Sequence, residues 1–203
     1  DKADLVINAL YPHQKPKKNV LVGPDFFCLR DEFLFLGNKT KKNSFNRILL
    51  TFGGVDEGNI TLSVLKSISH LCIEKNLMIE VVTGPGYPHH NDLQSFISQN
   101  DKLKCDVIKK TNRISEHMLK CDIAFTSGGR TVLELASLKV PTIVICQNDR
   151  ETTHTFASKK NGIINLGHRN KVSSKKIEDS LLELLENQEF VSQMQKKMSS
   201  LKL

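Results

Sequence analysis

At 203 residues, 39% of them apolar and 25% charged, the chain has the size and make-up of one well-packed globular domain with a short appendage, which excludes a disordered protein. Its net charge of +7 is scattered over lysine groups near positions 15–18, 39–42 and 196–197, and with 6% aromatic residues and no Trp it offers little to stack on bases, so no nucleic-acid partner is expected. No apolar run approaches the ~20 residues that cross a bilayer and no signal peptide is visible, so no stable membrane insertion is expected.

The five cysteines, Cys28, Cys72, Cys105, Cys121 and Cys146, are odd in number, widely spaced and without a CxxC pair. That pattern argues against a zinc site or a disulfide framework and fits buried thiols in a reducing cytoplasm.

The chain opens on DKADLVINAL, which reads as the interior of a longer polypeptide. DLVINAL is a run of strand length, followed by a polar, proline-containing stretch and then by NVLVGPDFFCLRDEF, a short strand with a Gly-Pro break and an aromatic segment. Neither part joins a regular alternation, so residues 1–45 are expected to be an exit strand and inter-domain connector from a preceding N-terminal domain. The boundary is placed within the loop at 37–46, and residues 46–203 are expected to form one domain.

From Arg47 a regular rhythm begins. RILLTF predicts a buried strand, residues 60–75 an amphipathic helix, and residues 77–82 the next strand, which runs into TGPGYPHHND. A helix near 93–98, a strand at 104–108, a short helix ending before Cys121 and the strand DIAFTS follow. Beyond them come a glycine turn, a helix, a strand at 141–146, a polar loop, a helix at 153–159, a short strand at 162–166 and two C-terminal helices at 174–186 and 188–199. Strands alternating with helices imply an α/β fold with a Rossmann-like parallel sheet and helices on both faces.

Ligands of such sheets bind beyond the carboxyl ends of the strands, where loops diverge. Two glycine pairs follow strands there, Gly53-Gly54 and Gly128-Gly129. A residue without a side chain lets the backbone approach a ligand closely, and the first amides of a following helix have no partner within it. Ser127 and Thr131 would add hydroxyls, Arg130 a positive charge, and Glu134 a carboxylate able to take two hydrogen bonds from a sugar diol. The plainer readings stand beside these: glycine pairs at such turns serve steric ends, Arg130 suits a solvated surface and Glu134 a helix's first turn. His89-His90 lacks the spacing of a helical metal site, and His154 is a lone histidine on the rim. GGVDEG is not GxGxxG and no P-loop occurs, so NAD or ATP chemistry, a cofactor and a metal are not expected.

LLTFGGVDEGNITLSVLKSI together with CDIAFTSGGRTVLELASLKVPTIVICQNDRETTHTFA resembles the C-terminal domain of GT-B-fold nucleotide-sugar enzymes. It is most similar to the spore-coat polysaccharide group, which includes the UDP-sugar hydrolase of pseudaminic acid biosynthesis. It is more distantly similar to the N-acetylglucosaminyltransferase that makes the peptidoglycan lipid precursor. DLVINAL and LVGPDFFCLRDEFL are similar to the family's crossing between its two domains, so the resemblance covers nearly the whole chain.

The resemblance implies the C-terminal half of a GT-B fold that grips a UDP-sugar. By position, Gly53 and Gly54 would face the phosphates and sugar, and the backbone at Thr111 and Asn112 the uracil. Ser127, Gly128, Gly129 and Thr131 would hold the diphosphate, Glu134 the ribose, and the loop with Asn148, Glu151 and His154 would lie toward the sugar. Arg130 departs from the small hydroxyl residue of many relatives; it would either strengthen the grip on the diphosphate or point to solvent. The implied activity is hydrolysis releasing UDP from a 2,4-diacetamido-trideoxy-hexose in nonulosonic acid biosynthesis. The alternatives are a glycosyltransferase, or a non-catalytic nucleotide-binding module of a bifunctional cytidylyltransferase. In the hydrolase the base is a histidine of the N-terminal domain, so this fragment alone is expected to bind nucleotide and not to turn it over.

Overall fold

The computed structural model describes residues 3–12, 18–36 and 44–200. A first pair of short strands, β1 (Val6–Asn8) and β2 (Val20–Val22), forms a parallel ribbon of its own. It is followed by a single helical turn, α1 (Asp31–Leu34). The main body runs β3 (Arg47–Thr51), α2 (Ile60–Glu74), β4 (Met78–Val82), α3 (His90–Ser98), β5 (Cys105–Ile108), α4 (Ile114–Lys120), β6 (Ile123–Thr126), α5 (Thr131–Ser137) and β7 (Thr142–Cys146). It ends with α6 (Asp149–Thr152), β8 (Ile163–His168), α7 (Ser174–Glu186) and α8 (Gln188–Ser199).

The sheet has six parallel strands in the order β5-β4-β3-β6-β7-β8. Period-two alternation divides β3, β4 and β6 between two cores. Ile48 and Leu50 face a large cluster with α2, α7 and α8, whereas Leu49 faces a smaller one with Phe33, Met118 and Leu135. Burial on both faces explains why these strands read as continuous apolar runs.

Order and sequence part at one place. From β3 the chain moves outward to β4 and β5, then returns so that β6 lies against the free edge of β3, with Thr51 beside Thr126. This reversal is the topological switch point, and the bends after β3 and β6 flank it.

The bend after β3 is held from within. Asp56, at φ +47°, turns its carboxylate onto the first turn of α2, accepting from the Ile60 N–H at 2.9 Å and the Thr61 N–H at 2.8 Å. Two of the unpaired amides of that helix are thereby satisfied. The loop after β4 leans on the same bend, since the Gly86 N–H donates to the Gly54 carbonyl at 3.0 Å. A Cβ on Gly84 would come within 2.3 Å of the Gly54 backbone, so close packing of two chain segments accounts for that glycine.

One expected helix is absent. Where residues 153–159 were expected to be helical, the helix is α6, four residues long and starting earlier, and a 3-10 turn occupies Lys159–Asn161. The Asn148 side chain caps the Glu151 N–H at 3.1 Å and sets the start. His154 ends it: its Nδ1 accepts from the Phe156 and Ala157 amides at 3.1 and 3.2 Å and withdraws them from helical pairing. The boundary expected at 37–46 falls largely on residues 37–43, outside the described residues. Of the cysteines, Cys72, Cys121 and Cys146 are buried and Cys105 half-buried, but Cys28 is exposed. Among the described residues no helix is long and apolar enough to cross a membrane.

Gly84→Ala forces two backbones apart and is expected to lower the unfolding free energy by about 1–3 kcal/mol, the usual range for overpacking. Urea unfolding followed by far-UV circular dichroism measures it, and an unchanged midpoint would contradict the close approach.

Candidate functional site

Three adjacent strands, β3, β6 and β7, deliver their following loops to one rim of the sheet. These loops carry Gly53 and Gly54, then Ser127, Gly128 and Gly129, then Asn148 and Glu151. Side chains of the third loop lock the other two. Gln147 Nε2 donates to the Phe52 carbonyl at 2.9 Å, reaching the bend after β3. Glu151 Oε2 accepts from the Gly128 N–H at 3.0 Å and from the Gln147 N–H at 2.7 Å.

An amide expected to receive an anion therefore already holds a carboxylate. Burial raises the pKa of Glu151 above the usual carboxylate value, although its two backbone hydrogen bonds pull the other way.

His154 was expected to lie toward the sugar, but its ring is only 5% exposed and committed to backbone groups. With Nδ1 accepting two amides, the tautomer that satisfies the network carries its proton on Nε2, which faces the Gly129 carbonyl at 3.2 Å. Desolvation lowers its pKa, as an imidazole with both nitrogens already used requires.

The glycines separate into two kinds. A Cβ on Gly128 would stand 3.0 Å from Glu151 Cβ and 3.4 Å from Cys146 Sγ, so internal packing accounts for it, and Gly53 sits at φ +83°, where other residues are strained. Gly54 and Gly129 differ: neither has a positive φ, and a Cβ on either would meet nothing within 4 Å. Neither backbone conformation nor packing among the described residues demands glycine there, and both lie on the same rim.

The N-terminal segment reaches this rim as well. Tyr11 donates its hydroxyl to the Gly128 carbonyl at 2.8 Å, and the Thr155 N–H donates to the Leu10 carbonyl at 2.9 Å. Arg130 turns to this segment, donating from Nη2 to the Cys28 carbonyl at 3.0 Å with its guanidinium 5.0 Å from the Phe27 ring centre. Glu134 is 3% exposed in the first turn of α5, and its Oε1 is paired with Arg30 Nε at 2.9 Å. The carboxylate expected to be free for a diol is thus already ion-paired through one oxygen. Arg30 also holds Glu32 at 2.8 Å.

Ser127 is buried and Thr131 half-buried at the start of α5. Thr111 and Asn112 follow β5, the outer strand on this side, three interstrand steps or ~14 Å from β6. Thr111 caps its own loop by accepting the Arg113 N–H at 3.1 Å, and Asn112 is exposed. His89 and His90 brace loops: His89 Nε2 lies 3.0 Å from the Glu57 carbonyl, and His90 packs edge-on to Tyr87 at 5.0 Å. Among the described residues no three His, Cys, Asp or Glu side chains form a metal-holding group. Sequence reasoning missed Tyr11, Arg30 and the locking role of Gln147. Their partners lie 117, 104 and 95 residues away, and no local pattern marks contacts of that range.

The raised pKa of Glu151 has a consequence for stability. Between its ordinary value of 4.5 and its folded value the native chain holds a proton that the unfolded chain has lost, so stability falls as pH rises through that window. Glu151→Gln removes this contribution and leaves that of His154 in place. The variant is expected to gain stability relative to the native sequence as pH rises above about 4.5. Parallel urea-midpoint profiles for the two proteins would refute it.

Residues 48–203 match the glycosyltransferase family 28 C-terminal domain. The chain is 31% identical over 163 residues to an uncharacterized protein of Methanocaldococcus jannaschii, covering 72% of this chain and 33% of that protein. It is 26% identical over 207 residues to the spore coat polysaccharide biosynthesis protein SpsG of Bacillus subtilis, covering 98% of this chain and 56% of that protein. The chain thus spans between a third and just over half of these relatives. An S. aureus TarM mutant, crystallised with fondaparinux, alpha-GlcNAc-glycerol and UDP, superposes with a TM-score of 0.65 at 13% identity, covering 97% of this chain and 40% of that one. At that identity the superposition speaks for the fold alone, which is the Rossmann-like C-terminal half of a GT-B protein. The family match extends over most of the length, and on that ground the chain belongs to glycosyltransferase family 28 and carries its C-terminal domain.

Proposed function

We propose that this chain is the nucleotide-sugar-binding half of an enzyme that moves a glycosyl group from a uridine diphosphate sugar to an acceptor. The observation that carries the reading is the pair Gly54 and Gly129, side-chain-free positions on adjacent loops at the switch point that nothing among the described residues explains. Close approach of a ligand to the backbone supplies the missing reason. Family membership narrows the ligand to a sugar nucleotide, and the UDP in the TarM crystal favours uridine.

In this reading the diphosphate lies over Gly53, Gly54, Ser127, Gly128, Gly129 and Thr131, where amide and hydroxyl donors offset the charge that builds on the leaving oxygen. It displaces the Glu151 carboxylate from Gly128, because two anions cannot share one N–H donor. The second oxygen of Glu134 receives the ribose diol while Arg30 holds the first. The backbone at Thr111 and Asn112 meets the uracil, and Asn148 and the released Glu151 turn to the sugar. His154 acts at one remove by fixing the Gly129 carbonyl. Arg130 anchors the N-terminal segment to the rim.

The acceptor site and the base are assigned to the part of the enzyme that precedes this chain. The exposure of Leu5, Ile7 and Val22 on the β1-β2 ribbon, and of Phe35 at 87%, supports that assignment. A two-stranded parallel ribbon with an apolar face in water is normally part of a larger sheet. Hydrolysis of a 2,4-diacetamido-trideoxy-hexose nucleotide differs only in taking water as acceptor, and similarity to SpsG over 98% of the chain keeps it as the second reading.

Two measurements test this. In calorimetric titration with UDP, Gly54→Ala and Gly129→Ala are expected to bind at least tenfold more weakly, about 1.4 kcal/mol. Their unfolding free energies should stay within about 0.5 kcal/mol of the native value. Undiminished UDP affinity in both variants would sink the assignment. For the full-length enzyme with a UDP-sugar, release of UDP that depends on added acceptor identifies transfer, whereas the same rate without acceptor identifies hydrolysis.

A further inference from the structure

On the α2–α7 side of the sheet, behind the bend after β3, lies an open cleft of about 200 Å³. Its polar wall is Gly58, Ser63, Arg169 and Asn170, and its apolar floor includes Ile145 and Ile177. It shares none of the rim residues Gly54, Gly128 or Gly129. We propose that this cleft is a second binding subsite, which takes a single small oxyanion, a phosphate or carboxylate group, on Arg169.

The guanidinium carries the argument. Its Nη1 end abuts Gly58, where a Cβ would fall 1.4 Å from Nη1 and 2.4 Å from Cζ, so the guanidinium occupies space that a side chain at 58 would take. Arg30, Arg47 and Arg113 each pair with a glutamate, at 2.8 to 3.1 Å. Among the described residues Arg169 has no carboxylate or carbonyl partner, and its Nε, shielded from solvent, has no acceptor. The nearby Asp56 carboxylate is spent on the Ile60 and Thr61 amides. A half-buried guanidinium without a counter-charge is costly and calls for an anion from outside.

The neutral donors beside it are also unused. Neither the Ser63 hydroxyl nor the Asn170 carboxamide has a hydrogen-bond partner among the described residues. At about 30 Å³ per water the cleft holds roughly seven waters, enough for one oxyanion group. It is smaller than the ~300–1,000 Å³ of pockets that enclose a drug-sized ligand, so a whole nucleotide does not fit. Arg169 touches the loop that also carries Gly53 and Gly54, and an anion here would stiffen the bend from behind.

The test is a titration of the 203-residue chain with inorganic phosphate, and separately with acetate, at constant ionic strength. Amide NMR shifts at Gly58, Ser63 and Asn170 are the readout. Saturable shifts with either anion are expected, and the anion that saturates at the lower concentration identifies the group the cleft takes. Binding should weaken at least tenfold in Arg169→Gln and less in Arg169→Lys, which keeps the charge and loses the fork. Gly129→Ala should leave it unchanged. Non-saturating shifts, or shifts of equal size in Arg169→Gln, overturn the proposal. Displacement of phosphate from these amides by UDP would also overturn it, by making the cleft part of the nucleotide site; if UDP fails to bind at all, the phosphate result still stands or falls by itself.

Discussion

The pairing of β3 with β6 is the constraint on which the rest of the molecule depends. Bringing Ile48 to Ile123 and Thr51 to Thr126 closes a gap of two intervening strands and sets two glycine bends side by side at one end of the sheet. A parallel pair cannot be joined by a tight hairpin, so each bend must lead into a crossover helix, and each helix begins at the rim. The crevice follows from strand order, and its polarity follows from the direction in which all six strands run.

Around that crevice the chain satisfies its donors with its own carboxylates. Asp56 occupies the amides that open α2, Glu151 occupies the amide of Gly128, and Glu134 holds Arg30. Each is a charge-assisted contact, stronger than a bond between neutral groups. The three differ in what they leave available. Asp56 is buried within its own loop, Glu134 has one oxygen without a partner among the described residues, and Glu151 is held on the Gly128 and Gln147 amides. In the nucleotide-binding role proposed above, the chain's own carboxylates keep these donors satisfied until a ligand displaces them.

The glycines record the same distinction. Those at 84, 128 and 162 are demanded by neighbouring atoms of the chain, and those at 53 and 167 by a left-handed φ. Gly54 and Gly129 are demanded by neither among the described residues, which is why the proposed ligand site rests on them. Arg169 against Gly58 extends this logic to a charge, since its guanidinium has no carboxylate or carbonyl partner among the described residues and carries the second-subsite proposal.

The alternation of apolar strands and amphipathic helices, read from Arg47 onward, was enough to establish a parallel α/β sheet, because periods of two and of about 3.6 residues are local properties. The two glycine turns were legible for the same reason, as each is a short run between a strand and a helix. The start of α6 was misplaced because it depends on an asparagine cap and on a histidine that takes two amides, neither of which alters apolar periodicity. Which glycines face open space, which carboxylates are already paired and which arginines lack a carboxylate among the described residues were decided only by the tertiary structure. Those properties belong to pairs such as Arg30 with Glu134 and Arg169 with Gly58, more than 100 residues apart, and no local pattern encodes a distance across the folded chain.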